Sequence, residues 1–338
     1  MKNSTKPTVL PWKIWLAWIP FAIALIAGFL LVEEKITKLP ALHWLSLVIG
    51  LSPFIAAQLS FGSERAVKKL RNWFNTSSKS IVWTSGAISV LFILSGILIG
   101  QFDPYAAIIF SLGTFTALSA LGEINKEKMG LTWTDGIVWI LLWIPFDLRW
   151  NNHLWFGLDG FTYTWWSFSI SVMAIIGWGS IRQFPGFGYR LTPRWKDILI
   201  GVLMIIPIFV LAVPIGLSTD FLRFSPSNSF QPFEIAAYFI GIFLTIAIPE
   251  ELFSRAVLQN GLERLFKQHW IGWVLASMAF GLMHWNNASS LREKLIYCVL
   301  ASIAGFFYGW AYKKSGNNIL APVITHTLVD LIWKVVFT

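Results

Sequence analysis

Apolar runs long enough to cross a lipid bilayer recur along the whole chain, and this constrains the fold more than any other feature. They lie at roughly 12–32, 41–61, 80–100, 104–121, 132–148, 163–180, 197–218, 233–258, 269–285, 293–312 and 318–336. A hydrocarbon core about 30 Å thick takes about 20 helical residues to cross. Inside it every backbone N–H and C=O must be bonded within the chain, so helices or closed barrels are required. The runs are continuous rather than alternating, which excludes the barrel. The expected fold is an all-α polytopic membrane protein of about 11 transmembrane helices.

Charge placement tests that map. Of the 26 Lys and Arg, the segments expected on the cytoplasmic side hold 19 and the outer ones hold 7. Short loops rich in Lys and Arg stay cytoplasmic, so the alternation supports the count and sets the N-terminus inside. Lys2 and Lys6 precede the first run as they would in a signal peptide. That run is longer than a signal core and more spans follow, so the expectation is a retained first helix.

The net charge of +9 does not point to nucleic acid, because the cations sit in short loops between apolar runs. The chain is 56% hydrophobic and only 13% charged, and many of its 20 Trp lie near span ends, as in interfacial belts. Membrane lipid is therefore the first expected partner. The single cysteine, Cys298, excludes an intrachain disulfide and a cysteine metal cluster, and it reads as a small buried apolar residue.

The clearest division falls in SIRQFPGFGYRLTPRWKD, residues 180–197. Before it, ionisable residues sit mostly at span ends. After it, they lie inside spans. Residues 1–180 thus form a six-span region of unassigned role, and residues 185–338 the working part.

An ionisable group inside a span is expensive and reads as functional until a partner explains it. The stretch PEELFSR, residues 249–255, carries three. Glu251 and Arg255 are i,i+4 with the acid first, so they form a self-neutralising pair. Glu250 points about 100° away and is left over. Pro249 cannot donate to the carbonyl of Thr245, so a bend is expected just before the acids. Phe280 and His284 are i,i+4 in the ninth run, where an interfacial histidine beside Trp285 is the plain alternative. Phe306 and Gly309 in the tenth run suggest close helix packing. His326 and Asp330 are i,i+4 in the eleventh, either as a structural pair or as an oriented imidazole. His43, His153 and His269 lie at span ends or in loops.

Depth allows these groups to meet. With a rise of about 1.5 Å per residue, Glu250 and His326 each lie roughly 13 Å from the cytoplasmic edge and His284 roughly 21 Å. A carboxylate in a water-filled cavity suits general-base attack of water on an amide, with imidazoles relaying protons or stabilising an oxyanion. There is no G-x-S-x-G elbow and no H-E-x-x-H helix. A metal held by His284, His326 and Glu250 is compatible with the ligand types alone.

E-E-x-x-x-R at Glu250, Glu251 and Arg255, F-x-x-x-H at Phe280 and His284, F-x-x-G at Phe306 and Gly309, and H-x-x-x-D at His326 and Asp330 occur in order on successive spans. Together they resemble the CAAX prenyl protease and bacteriocin-processing (CPBP, Abi) family of intramembrane glutamic endopeptidases, over about residues 185–336. The resemblance implies that Glu250 activates water, that His284 assists, and that His326 with Asp330 forms the oxyanion site. Glu251, Arg255 and Phe280 would then support the cavity, and no cofactor is implied. The usual Asn of the prenyl-protease branch is Asp330 here, and an ionised Asp cannot donate to an oxyanion. The implied partner is a peptide or membrane-anchored protein substrate, and the implied location a bacterial cell membrane. A proton-coupled transporter and a non-catalytic bacteriocin-immunity or binding protein stand as alternatives. No internal repeat supports the transporter.

Overall fold

The computed structural model describes residues 41–337 apart from 78, 125, 149–158 and 227–229. The expected first span, 12–32, and His153 lie outside the described residues. The described chain is helical, and its one β pairing is an isolated bridge between Phe224 and Phe337.

The helices are α1 (Ala41–Phe61), α2 (Glu64–Thr76), α3 (Ser80–Leu98), α4 (Pro104–Gly122), α5 (Trp133–Asp147) and α6 (Asp159–Ala174), which continues as a π-helical turn, Ile175–Ile181. Then follow α7 (Trp195–Ser218), α8 (Pro232–Phe266), α9 (His269–Leu282), α10 (Leu291–Lys314) and α11 (Leu320–Val336). Five of these, α3, α4, α7, α8 and α10, are long and apolar enough to cross a membrane. They coincide with five of the expected spans, and the chain is a multi-pass membrane protein. The other described runs are helical too, but α5, α9 and α11 have only 15, 14 and 17 residues.

Local chemistry accounts for the helix starts. Asp103 precedes Pro104, and its Oδ1 accepts from the amides of Tyr105 and Ala106, so α4 begins there. Thr132 and Asp135 form a capping box at α5, and Ser290 and Glu293 form one at α10. Asp135, an acid inside an expected span, is thereby explained. It also accepts from Trp178 Nε1 at 2.9 Å. Apolar side chains on α3, α4 and α7 face outward, among them Trp83, Ile109 and Val210. An apolar outer belt is what lipid requires.

The two regions divided at residue 180 share one core. Phe54, Phe92, Phe110 and Trp165 meet edge-on or stacked, and Ala247, Ile248, Leu252, Phe253, Ala256 and Val257 of α8 belong to the same cluster. Phe253 lies against Trp143, with ring centres 5.0 Å apart, and against Trp178, at 5.8 Å. The N-terminal region is thus packed onto the back of α8.

α8 is irregular where the sequence suggested a bend. It is π-helical over Phe243–Ala247 and again over Leu252–Gln259, with one α-helical turn, Ile248–Glu251, between them. Pro249 has no N–H, and the wider turns absorb the break. Carbonyls along this stretch bond to the N-terminal region instead. Gln58 Nε2 donates to the Leu244 carbonyl at 3.1 Å, Ser167 Oγ to that of Thr245, and Trp139 Nε1 to that of Phe253 at 3.1 Å. Such help from neighbours is how broken helices survive in membranes.

Candidate active site

The four motifs converge. α8 brings Glu250, Glu251 and Arg255, the end of α9 brings Phe280 and His284, and α11 brings His326 and Asp330. Glu250, Phe280, His284, His326 and Asp330 line one cavity of about 430 Å³, whose other walls include Trp143, Ile208 and Trp333.

His326 stands at the centre. Its Nδ1 is 3.0 Å from Glu251 Oε1. Its Nε2 is 3.5 Å from Asp330 Oδ2 and 3.7 Å from Glu250 Oε2. Carboxylates therefore flank both ring nitrogens. A neutral imidazole donates from only one nitrogen, so facing both sides with a proton requires the imidazolium or a protonated carboxyl. Tyr308 stacks on the ring at 4.8 Å between centres, and Phe280 meets it edge-on at 5.7 Å.

The pair read from the sequence is present. Arg255 Nε lies 3.0 Å from Glu251 Oε2, and both side chains are fully buried. Arg255 Nη2 has no hydrogen-bond partner, but the guanidinium lies 5.1 Å from the centre of the Phe280 ring. An aromatic face compensates part of such a desolvated charge. A Cβ at Gly305 would stand 2.9 Å from Phe280 Cδ1, so the α10 backbone must come close to hold that ring.

Glu250 is different. Its Oε2 is buried and hydrogen-bonds to no protein group. It faces the cavity, beside His326 and Asp330. The glutamate that sequence arithmetic left over is also the one that the structure leaves without a hydrogen bond.

His284 does not sit inside α9 as the i,i+4 spacing suggested, but in the turn just after it. Its Nδ1 lies 2.9 Å from the Phe280 carbonyl. A carbonyl only accepts, so the proton is on Nδ1, and in the neutral ring Nε2 is an acceptor. The imidazole thus closes one of the open carbonyls of the last turn. α9 stops short of a full crossing at this point.

A buried polar line leads away from the site. Arg255 Nη1 is 3.5 Å from Gln259 Oε1, and Gln259 Nε2 is 2.9 Å from Glu263 Oε1. Glu263 Oε2 then meets Lys313 Nζ at 2.6 Å and His269 Nδ1 at 3.1 Å, where His269 is largely exposed. Residues 251, 255, 259 and 263 recur every four residues, so they share a face of α8. That spacing is present in the sequence, though only its first pair joins opposite charges. Tyr308 gave no such signal, because in AGFFYGW it resembles a packing residue. Phe306 and Gly309 do pack closely. Trp273 stacks on Phe306 at 4.3 Å, and a Cβ at Gly309 would stand 2.5 Å from Trp273 Cδ1. Cys298 is buried, as expected. Among the described residues no three His, Cys, Asp or Glu side chains are arranged to hold a metal ion.

The family model described as type II CAAX prenyl endopeptidase Rce1-like matches residues 232–332. The matched segment runs from the start of α8 into α11 and contains all four motifs. Over that segment the chain is similar to CAAX-type membrane endopeptidases, which supports a peptidase. No curated protein and no solved structure matches the chain.

Proposed function

We propose that the chain is an intramembrane endopeptidase in which Glu250 activates the attacking water. The observation that carries this reading is the buried Glu250 Oε2, without a hydrogen bond, at the wall of a cavity shared with both site histidines. A carboxylate without a hydrogen-bond partner in a membrane span is costly. A role as general base gives it a reason to be there.

In this mechanism Glu250 takes a proton from water as the water oxygen attacks the peptide carbonyl. His284, its Nδ1–H held by the Phe280 carbonyl, accepts a hydrogen bond from the same water through Nε2. The carbonyl becomes an oxyanion facing the Nε2–H of His326. Glu251 holds the other side of that ring, and Arg255 holds Glu251. As the C–N bond breaks, Glu250 passes its proton to the leaving amine and returns to the carboxylate. Asp330 orients His326 rather than donating to the oxyanion. No metal takes part. The substrate class is a peptide or a membrane-anchored protein. Residues 185–338 supply the chemistry, and the described part of residues 41–180 holds α8 from behind. The protein works in a bacterial cell membrane, with about eleven spans and its N-terminus in the cytoplasm.

The test compares peptide ends in membrane fractions from cells carrying the native protein or Glu250→Gln. Ends that appear with the native protein and vanish with the variant support proteolysis and name the substrate. Identical ends, with both proteins folded and equally abundant, would instead support a binding, immunity or transport role.

A further inference from the structure

A second and larger cavity, about 770 Å³, opens at the end of the bundle where the basic loops converge. Its walls are one face of α2, the end of α6, the loop 183–190 and residues 316–318. None of the protease motifs reaches it.

The charges around it do not balance. Lys68, Arg71 and Arg190 line it against a single acid, Glu64. Glu64 is 86% exposed and stands 4.0 Å from Arg190 Nη1, too far for a hydrogen bond. Lys68 and Arg71 have no carboxylate partner among the described residues. Arg71 Nε donates to the Gly179 carbonyl at 2.9 Å, which fixes the side chain without neutralising it. Burial pushes the Arg71 guanidinium down from its ordinary value, and no acid offsets that cost. Arg190 Nε is buried with no hydrogen-bond partner, and Arg190 Nη2 is 3.9 Å from Asp197. Asp197 is already held by Arg194 at 2.8 Å and by Asn318 Nδ2 at 3.0 Å. Three cations therefore face one space with donors to spare.

The setting points to an anion at the membrane surface. α2 is amphipathic with no buried residue, carries Arg65, Lys68, Lys69 and Arg71, and keeps Trp73 exposed. A short helix of that kind between two spans lies in the headgroup layer. Guanidinium forks match phosphate oxygens in geometry as well as charge.

We propose that this cavity binds a phosphate-bearing anion through Lys68, Arg71 and Arg190. A bound anion would also brace the loop 183–190 against the site-bearing helices. The Pro185 carbonyl accepts from Asn260 Nδ2 of α8 at 2.8 Å, and the Gly186 carbonyl from the Tyr312 hydroxyl of α10 at 2.9 Å.

The experiment measures thermal stability and lipid retention of the full chain in nanodiscs. One set holds phosphatidylcholine alone, a second adds phosphatidylglycerol, and a third is phosphatidylcholine with inorganic phosphate in the buffer. Stabilisation by phosphatidylglycerol alone assigns the site to a lipid headgroup, and stabilisation by inorganic phosphate assigns it to a free anion. Lys68→Gln should weaken the effect about fivefold. Arg71→Gln should do the same. Lys69→Gln removes the same charge from the same helix, beyond the cavity wall, and should change it by less than about twofold. Two results overturn the proposal: no stabilisation in either arm, or an equal loss in Lys68→Gln and Lys69→Gln. Lys68 is exposed and its replacement leaves the fold intact, so the comparison does not depend on Arg71.

Discussion

Oε1 of Glu251 stands 3.0 Å from Nδ1 of His326, across a sequence separation of 75. The other oxygen of the same carboxylate holds Arg255 at 3.0 Å. One buried side chain thus joins α8 to α11 and sets the face that His326 turns to the cavity. Glu250, its neighbour in the chain, makes no such bond. Two adjacent glutamates therefore have opposite consequences when changed.

Glu251→Gln should destabilise the protein by about 3–5 kcal/mol, because it leaves Arg255 charged and unpaired in the interior. Glu250→Gln should leave stability within about 1 kcal/mol of native, since no bond is broken. It should lower cleavage by about 10²–10⁴-fold. Thermal unfolding in detergent, read beside peptide-end formation, separates the two. A large stability loss in Glu250→Gln would show that the acid is structural.

Gln259→Leu interrupts the polar line between Arg255 and Glu263. Both neighbours lose a buried partner, which costs about 1–3 kcal/mol each. His269→Ala, at the exposed end of that line, should change stability by less than about 0.5 kcal/mol. Unfolding of the two variants under matched conditions gives the comparison, and similar losses in both would place the weight at the surface instead.

Gly309→Ala puts a methyl against Trp273 and Gln259, with gaps of 2.5 and 2.6 Å that no real contact shows. α9 and α10 must then separate, at about 1–3 kcal/mol. The expected result is a lower melting temperature with reduced cleavage. An unchanged melting temperature would mean that the helices part freely here.

Residues 185–338 expressed alone should not yield a folded enzyme. Ile248, Leu252 and Phe253 of α8 are wholly buried against the N-terminal region, and Gln58 and Ser167 satisfy carbonyls beside Pro249. Gln58→Leu in the full chain should cost about 1–3 kcal/mol. Co-expression with residues 1–184 should restore a folded complex, and a stable, active fragment on its own would refute this dependence.

Cleavage should persist in the presence of EDTA, as the proposed reaction uses carboxylates and imidazoles alone. Loss of activity in chelator with recovery on adding one divalent metal would require a metal in the mechanism.

The apolar runs and the order of the four motifs were legible along the chain, because both depend on residue type and local spacing. The same spacing made Glu251–Arg255 a pair and left Glu250 in surplus. Periodicity assumes a regular helix, and there it misled. His284 lies beyond the end of α9, whereas the irregularity of α8 falls where Pro249 foretold a bend. Depth placed the acids and His326 within reach of one another, but which carboxylate oxygen meets which ring nitrogen across 75 positions leaves no local trace.

What the sequence determined by itself is the solvent and the inventory: a helical chain in lipid, with a carboxylate that local pairing does not neutralise. Lipid imposes helices on any long apolar run, so that much follows from composition and order. Tertiary structure alone decided which groups meet. It gave Glu251 two hydrogen-bond partners and Glu250 none, stacked Tyr308 on His326, and bound α8 to the N-terminal region through its open carbonyls. Those outcomes depend on how helices pack against one another, and packing is settled only when all the faces are in place.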